Sequence, residues 1–341
     1  MSSDQKQTAT VPEGGVVRVE EWTSGEWQDF LLRKSWLTPQ ERVSKVTRLA
    51  GGNMNLSLKV THTSGEMFIK QGRPWVEKYP QFEAPWGRTA LEADFYLCTR
   101  DTARIRDAMP AFIGIDAELQ VLATQWIADT TEASSIYAEQ SGSQFLRQHS
   151  EFLLSYLEAL NGSEVKKLEG RFDQNPLKLL NSFHIHDYPF QAEQIRVAEE
   201  ASLQNLGWLR DARFTKVRDE MKADYLGTGD HFLHGDFYPG SLMIKEGRPI
   251  VIDSEFCMMG RSEFDAGNLF GHLILAGAKS NEIEIEWSGS RYFQSLDLGY
   301  LKKTAGIEIL RRTLGVAKVR EFKSPEAFAA LIDSARALLF Q

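Results

Sequence analysis

The sequence predicts a two-lobed α+β protein in which a β-rich N-terminal lobe precedes a larger, mainly helical C-terminal lobe. Short β-rich segments dominate the first part of the chain, and long stretches of helical periodicity follow from about residue 128. With 341 residues, the chain is too long for one small core but long enough for two lobes. We therefore expect an N-terminal lobe over residues 1–127 and a C-terminal lobe over residues 128–341.

The N-terminal lobe is expected to contain one β-sheet and two helices. Residues 1–15 have no apolar core and are expected to be disordered. Ser24 is the predicted N-cap of a first helix that ends near Ser35. The remaining elements follow in chain order: strands in 45–62 and 66–72 around the turn "TSG", a helix over 88–103, and two strands in 111–127. Residues 124–131 are predicted to form the hinge between the lobes.

The C-terminal lobe is expected to be helical except for one hairpin. Helical periodicity covers residues 141–162, 190–227, 264–278 and the region from Tyr292 onward. The segment "SLMIK" and the segment "RPIVID" flank Glu246-Gly247, a dipeptide typical of a tight turn. These two segments therefore predict a β-hairpin.

Composition excludes several classes of function. Hydrophobic residues make up 42% of the chain, charged residues 25%, and the formal net charge is −8, which argues against non-specific binding to nucleic acid. No apolar stretch approaches the roughly 20 residues needed to cross a bilayer. Cys98 and Cys257 form no metal-binding or disulfide pattern, so we expect reduced thiols and a cytoplasmic protein.

The predicted hairpin concentrates acidic residues. Its pairing brings the loop that carries Asp236 close to Asp253 and Glu255 at the end of the second strand. Converging carboxylates repel one another unless a cation lies between them, and oxygen ligands of this kind suit Mg²⁺ bound to a nucleotide. The alternative for any one of these residues is a cap or a turn role, which is the commoner use of an aspartate at a strand end.

The spacing within this segment matches that of a kinase catalytic loop. Asp236 and Ser241 are five positions apart, like the base and the metal-binding asparagine of that loop, and Asp253 lies where a kinase has its metal-binding aspartate. We therefore expect Asp236 to face a substrate hydroxyl while the other two carboxylates hold the metal.

The N-terminal lobe offers matching partners for the phosphates. Gly51 and Gly52 lie between two predicted strands, where glycines let backbone N–H groups approach phosphate closely. Lys70 ends the next strand, and Glu92 lies in the following helix, which is the order of the lysine–glutamate pair in kinases. Taken singly, the glycines could form a plain hairpin turn and the lysine a solvated strand end.

Three separated stretches resemble the 5-methylthioribose kinase family, within the aminoglycoside phosphotransferase and choline kinase superfamily. They are "GGNMNLSLKV" with "FIKQGRPWV" and "WGRTALEADF"; "LHGDFYPGSLMI" with "VIDSEF"; and "EILRRTLGVAKV". The resemblance implies a bilobal protein-kinase-like fold, ATP and Mg²⁺ as cofactors, and transfer of the ATP γ-phosphoryl group to the 1-hydroxyl of the sugar. It also suggests a homodimer.

The resemblance implies a role for each matching residue. Asp236 would be the catalytic base, and Asp253 and Glu255 would bind the metal, with Ser241 as a weaker ligand. The remaining implied roles are a nucleotide loop of Gly51, Gly52 and Asn53; a phosphate-binding Lys70 held by Glu92; an adenine-binding hinge of Trp126 and Ile127; and a sugar-binding pair, Arg311 and Arg312.

Two departures from the family, a short and poorly matching middle segment over about residues 130–227 and a substitution in the catalytic loop, leave the acceptor open. The family's loop usually reads His-Gly-Asp-Leu-His-x-Gly-Ser, and Tyr238 stands here in place of the second histidine. A second hypothesis is therefore a phosphotransferase for another small alcohol, such as an aminoglycoside, choline or a different pentose. The tandem arginines favour an uncharged polyol because they would repel a cation. A third hypothesis, a nucleotide-binding scaffold without catalysis, does not account for the presence of Asp236.

Overall fold

The computed structural model describes residues 15–50, 54–162, 172, 173, 175–319 and 324–341. Its N-terminal part is built on a β-sheet, and its C-terminal part is mostly helical. The strands are β1 (Val43–Arg48), β2 (Leu56–His62), β3 (Gly65–Gln71), β4 (Trp75–Val76), β5 (Tyr79–Glu83), β6 (Phe112–Asp116), β7 (Val121–Gln125), β8 (Thr131–Glu132), β9 (His231–Leu233), β10 (Leu242–Lys245), β11 (Arg248–Val251) and β12 (Met258–Gly260).

Helices occur before, between and after the strands of this sheet in the sequence, and they make up most of the C-terminal part. They are α1 (Ser24–Arg33), α2 (Arg88–Thr99), α3 (Ala103–Arg106), α4 (Ile136–Glu139), α5 (Gly142–Leu160), α6 (Leu177–Ser182), α7 (Ala192–Ser202), α8 (Ala212–Leu226), α9 (Glu263–Leu275), α10 (Ser280–Trp287), α11 (Arg291–Ser295), α12 (Leu298–Leu314) and α13 (Pro325–Phe340). Short 3₁₀ turns and a π-helical turn, Phe183–Asp187, lie among these helices and strands.

The N-terminal sheet is antiparallel, with strand order β1-β2-β3-β7-β6. β3 is the central strand, where Lys70 lies opposite Ser57 on one side and Leu122 on the other. Alternate residues of β2 are buried, as expected for a strand with one face on a core. The α1 residues Trp27 and Phe30 pack in that core. The sheet therefore holds Lys70 on a rigid, buried strand.

The N-cap of helix α1 lies one residue earlier than the sequence predicted. Thr23, and not Ser24, is the N-cap, because the Thr23 hydroxyl accepts a hydrogen bond from the Glu26 backbone N–H while the Glu26 carboxylate accepts one from the Thr23 N–H. This reciprocal arrangement is a capping box, and it satisfies two backbone donors at once.

The predicted helix over residues 190–227 is broken into α7 and α8. Leu203, in the left-handed conformation, ends α7, and the Asn205 side chain accepts a hydrogen bond from the Gly207 N–H. A 3₁₀ turn over Gly207–Arg210 then leads into α8. An asparagine whose side chain accepts from the backbone N–H two residues later favours such a turn over a continuous helix.

The C-terminal core is organised around α9. Every residue of α9 is buried, and the helix packs against α5 and α12, while α12 also packs against α13. A helix that is enclosed on all sides can carry polar residues only if each of them has a partner. In the described part of the chain, no helix has both the length and the apolar character needed to span a bilayer.

Candidate active site

The hairpin of β10 and β11 forms as the sequence predicted. Lys245 pairs with Arg248 across a two-residue turn in which Glu246 and Gly247 both have positive φ. Such a turn matches the twist of the two strands and fixes their register. The Ile252 N–H then donates to the Ser241 carbonyl, 3.0 Å away. The loop that carries Asp236 consequently lies beside the segment that carries Asp253.

Asp265, a residue that sequence reasoning missed, anchors the loop that carries Asp236. The Asp265 carboxylate accepts hydrogen bonds from the backbone N–H groups of His234, at 2.7 Å, and Gly235, at 3.0 Å. Burial raises the pKa of Asp265 to about 7, although these two bonds oppose the shift. An acidic residue inside the apolar helix "FDAGNLFGHLIL" was the only signal of this role.

Two further hydrogen bonds fix the same loop. The His234 ring Nε2 lies 3.0 Å from the Ile252 carbonyl, and burial lowers the pKa of this histidine to about 4, so the neutral ring donates there. The Ser241 hydroxyl donates to the Asp236 carbonyl at 2.8 Å. Ser241, which the sequence suggested as a weak metal ligand, therefore closes the loop in this structure.

Lys70 joins two predicted site residues. Its Nζ atom lies 2.9 and 2.7 Å from the two carboxylate oxygens of Glu92 and also contacts Oδ1 of Asp253. Lys70 and Glu92 are buried, whereas the Asp253 side chain is 45% exposed. Lys70 thus links the central strand, helix α2 and the end of the hairpin.

The charges of this cluster shift its pKa values in opposite directions. Burial opposes the charge on Lys70, but Asp253 and Glu92 outweigh it and raise the lysine pKa well above its ordinary value. Burial also opposes ionisation of Asp253, yet Lys70 lowers the pKa of that carboxyl. Burial and the neighbouring carboxylates raise the pKa of Glu92 to about 7. Lys70 is therefore a fixed cation beside an ionised Asp253.

Glu255 is fully buried beside two residues that sequence reasoning did not select. The Asn55 amide donates to Glu255 Oε2 at 2.8 Å, and Arg88 Nε lies 3.5 Å from the same oxygen. Oε1 of Glu255 has no hydrogen-bond partner and is buried. Burial and the charge of Asp253 raise the pKa of Glu255.

The residues around this point fit a divalent cation. Three carboxyl groups, those of Glu92, Asp253 and Glu255, lie around two cations, Lys70 and Arg88. The unpartnered Oε1 of Glu255 and the exposed carboxylate of Asp253 are oxygen ligands of the kind that Mg²⁺ accepts, and this ion commonly takes only one or two from the protein. Within the described ranges, no group of three or more histidine, cysteine, aspartate or glutamate side chains forms a self-sufficient metal cage.

Arg311 and Arg312 lie next to Asp236. The closest approaches to Asp236 Oδ1 are 3.9 Å from Arg311 Nη1 and 3.5 Å from Arg312 Nη2. Burial raises the pKa of Asp236, and the two arginines reduce that shift. Arg311 Nε and Arg312 Nη2 are buried and form no hydrogen bond. The tandem arginines and the predicted base therefore form one charged cluster.

Glu308, another residue missed from the sequence, holds both arginines from the same helix. Its carboxylate accepts from Arg312 Nε at 2.6 Å and from Arg311 Nη1 at 3.1 and 3.2 Å. Burial opposes its ionisation, but the two guanidinium groups lower the pKa of Glu308 well below its usual range. The i, i+3 and i, i+4 spacing in "EILRR" places these three side chains on one face of α12.

Two aromatic side chains, His272 and Tyr137, are linked by hydrogen bonds to Glu308, which holds the arginines. His272 Nε2 lies 3.0 Å from Glu308 Oε1, and the Tyr137 hydroxyl lies 2.6 Å from His272 Nδ1. Because ionised Glu308 can only accept, His272 donates from Nε2 and accepts the Tyr137 proton at Nδ1. Tyr238, the residue that departs from the family pattern, stacks near His272 and under the Arg312 guanidinium, 4.6 Å from the ring centroid.

The remaining predicted residues lie away from these contacts or outside the described ranges. Gly51, Gly52 and Asn53 belong to the residues that the structure does not describe. Trp126 and Ile127 follow β7 in a segment without regular structure, and the Trp126 N–H donates to the Glu66 carbonyl at 3.3 Å. Lys59 Nζ lies 4.5 Å from the centroid of the Trp126 ring.

Comparison with known proteins agrees with this architecture. The methylthioribose kinase of Yersinia pestis (strain Pestoides F) is 22% identical over 276 residues, which are 76% of this chain and 65% of that protein. The methylthioribose kinase of Pectobacterium atrosepticum is 26% identical over 272 residues, 74% of this chain and 66% of that protein. The chain therefore spans about two thirds of the length of the curated relatives it matches. No protein-family model matches it.

Among solved structures, the ethanolamine kinase of Plasmodium vivax superimposes with a TM-score of 0.52 and 12% sequence identity, covering 94% of each chain. This likeness concerns the fold alone. The bilobal protein-kinase-like fold and the similarity to methylthioribose kinases that the sequence predicted are both confirmed.

Proposed function

We propose that the chain is an ATP-dependent kinase that transfers the γ-phosphoryl group to a hydroxyl of a small neutral polyol, with the 1-hydroxyl of 5-methylthioribose as the first candidate. The observation that carries the proposal is the contact of Lys70 with both Glu92 and Asp253, within one protein that also places Asp236 against two arginines. A phosphoryl-transfer enzyme needs both arrangements: a fixed cation for the phosphates and a base for the acceptor.

The chemistry follows from the positions of these side chains. The acceptor hydroxyl oxygen forms a bond to the γ-phosphorus, the bond from that phosphorus to the bridging oxygen of ADP breaks, and Asp236 accepts the hydroxyl proton. Lys70 neutralises phosphate charge from a buried and rigid position. Mg²⁺, when bound at Asp253 and Glu255, would neutralise the charge on the transferring phosphoryl group.

The arginines support a neutral acceptor. Arg311 and Arg312 flank Asp236, and Glu308 pairs with both of them from the same helix. Their unpartnered N–H groups offer donors to hydroxyl oxygens. A choline or aminoglycoside cation would instead meet two guanidinium groups at short range, which is unfavourable.

The test is ATP consumption by the purified chain with a panel of acceptors that contains 5-methylthioribose, ribose, choline and an aminoglycoside. We expect turnover with the thiosugar, weaker turnover with other neutral sugars, and none with the cations. Turnover with the cations alone would overturn the proposed acceptor class. ADP binding without turnover on any acceptor would favour the scaffold hypothesis.

A further inference from the structure

Arg88 is a buried guanidinium that none of the predicted roles uses. It is fully buried at the first position of α2, and its N–H groups donate to the backbone carbonyls of Met54 at 2.9 Å, Pro85 at 3.0 Å, and Arg73. Its Nε donates to Asn55 Oδ1 at 2.9 Å. Arg88 therefore ties the residues that follow the glycine-containing segment to the start of α2.

Asn55 continues this connection to the predicted metal site. Its side-chain oxygen accepts from Arg88, and its amide nitrogen donates to Glu255 Oε2. The amide can satisfy both neighbours only in this orientation, because the guanidinium cannot accept and the carboxylate cannot donate. Arg88, Asn55 and Glu255 thus form one buried hydrogen-bonded chain.

The two oxygens of Glu255 are consequently not equivalent. Oε2 receives the Asn55 amide and lies beside the Arg88 guanidinium, whereas Oε1 is buried without a hydrogen-bond partner. A buried carboxylate oxygen left without a partner is costly unless a ligand completes it. Asp253, two residues earlier, presents a carboxylate that is partly exposed.

We propose that Arg88 and Asn55 are positioning residues that occupy one oxygen of Glu255 and present the other to the divalent cation carried by the nucleotide. This inference rests on the proposed function, because the cation is expected to arrive with ATP. The same arrangement makes α2 a common support for both halves of the site, since Arg88 reaches Glu255 and Glu92, one turn later, reaches Lys70.

The test separates metal binding from nucleotide binding. The thermal stabilisation by ADP is measured first without a divalent cation and then during a titration with Mg²⁺, and Mn²⁺ bound to the ADP complex is counted by electron paramagnetic resonance. In Asn55→Leu we expect ADP alone to bind within about two-fold of wild type while the Mg²⁺ midpoint rises about 10–100-fold, the range for lost outer-sphere partners of a metal ligand.

Arg88→Lys provides a second variant, because lysine keeps the charge but cannot serve four acceptors in a fixed plane. It should shift the Mg²⁺ midpoint in the same direction. Arg73→Lys is the matched control: Arg73 is almost as buried and lies nearby, but its guanidinium pairs with Glu20 and Glu77. Its Mg²⁺ midpoint should stay within about two-fold of wild type.

The outcomes distinguish the two proposals. A wild-type protein whose ADP complex binds Mg²⁺, together with Asn55 and Arg88 variants that keep the wild-type midpoint, would overturn the positioning role alone. An equal shift in Arg73→Lys would also overturn it, since the effect would then be general destabilisation. A wild-type protein that binds neither ADP nor Mg²⁺ with ADP would overturn the proposed function and the positioning role with it.

Discussion

Arg312 Nη2 lies 3.5 Å from Asp236 Oδ1, so a buried guanidinium faces the carboxylate that we assign as the base. The same guanidinium is anchored through Nε by Glu308 and lies over the ring of Tyr238. Arg312 therefore cannot move freely toward or away from Asp236. The Nη2 atom that faces Asp236 is buried and has no hydrogen-bond partner.

Asp236→Asn should slow phosphoryl transfer by orders of magnitude while preserving nucleotide binding. The amide keeps the size of the side chain but cannot accept a proton from the acceptor hydroxyl. We expect kcat to fall by about 10²–10⁴-fold, the usual contribution of a general base. Steady-state ATP consumption and ADP-induced thermal stabilisation check the two halves of this expectation. Asp230→Asn, an exposed aspartate on the same segment, is the control. Wild-type kcat in Asp236→Asn would remove the base assignment.

Arg311→Met should raise the KM for the neutral acceptor by about ten-fold or more and leave the affinity for ADP unchanged. Methionine preserves much of the side-chain length but removes the charge-assisted hydrogen bonds, each worth about 1.5–3 kcal/mol. Acceptor saturation curves and ADP titrations provide the measurement. Lys303→Met, on a half-buried position of the same helix, controls for the loss of a positive charge. An unchanged acceptor KM would place the acceptor elsewhere.

Gly235→Ala should lower the free energy of unfolding far more than Gly247→Ala does. Both glycines have positive φ, so alanine at either position carries a backbone cost of about 1–2 kcal/mol. At Gly247 an added Cβ would meet open space, whereas at Gly235 it would overlap the Phe256 carbonyl oxygen. We expect Gly235→Ala to lose about 3 kcal/mol or more of unfolding free energy, with overpacking added to the backbone cost.

Urea unfolding of the two glycine variants measures this difference. The kcat of Gly235→Ala should also fall, because Gly235 directly precedes Asp236. Equal losses of unfolding free energy in the two variants would show that the loop beside Phe256 can relax around the added methyl group. The comparison holds the residue type and the sign of φ constant, so it isolates the close backbone approach.

The sequence was sufficient for elements whose signals are local. The Glu246-Gly247 turn specified the hairpin and its register, and the order of Lys70 and Glu92 indicated a pair that the structure brings into contact. Residues whose importance depends on burial could not be found in this way. Asn55, Arg88 and Glu308 resemble ordinary surface residues in the sequence, and only the fold shows that each is enclosed.

The same limit explains the errors in the helical part. The stretch over residues 190–227 has helical composition throughout, and the break at Leu203 and Gly207 depends on a local Asn205 hydrogen bond that periodicity does not register. Likewise, Thr23 competes with Ser24 as N-cap, and the reciprocal contact with Glu26 decides between them. Side-chain hydrogen bonds to the backbone thus set boundaries that hydrophobic patterns leave open.

The three buried histidines should lower the unfolding free energy as the pH drops from about 6.5 toward 4, while Asp265 and Glu92, whose pKa values burial raises to about 7, oppose that loss. Burial lowers the pKa of His186, His234 and His272 to about 4, so the native protein keeps these rings neutral while the unfolded chain, with histidine pKa values near 6.5, takes up protons. Because only the unfolded state takes up protons at these rings, acid favours unfolding through them. Each such histidine lowers the unfolding free energy by up to about 1.4 kcal/mol per pH unit in this window.

Between pH 6.5 and 5, the unfolding free energy of His272→Gln should therefore change with pH less unfavourably than that of wild type, and the two slopes should differ by about one histidine's share. His272 is fully buried between Tyr137 and Glu308, and a neutral glutamine amide has no proton to gain. Urea unfolding at several pH values measures the slope. His231→Gln, at a partly exposed ring, is the control. A His272→Gln slope equal to that of wild type would mean that the native protein accommodates a charged imidazolium beside Glu308, whose carboxylate would then stabilise that charge in place of excluding it.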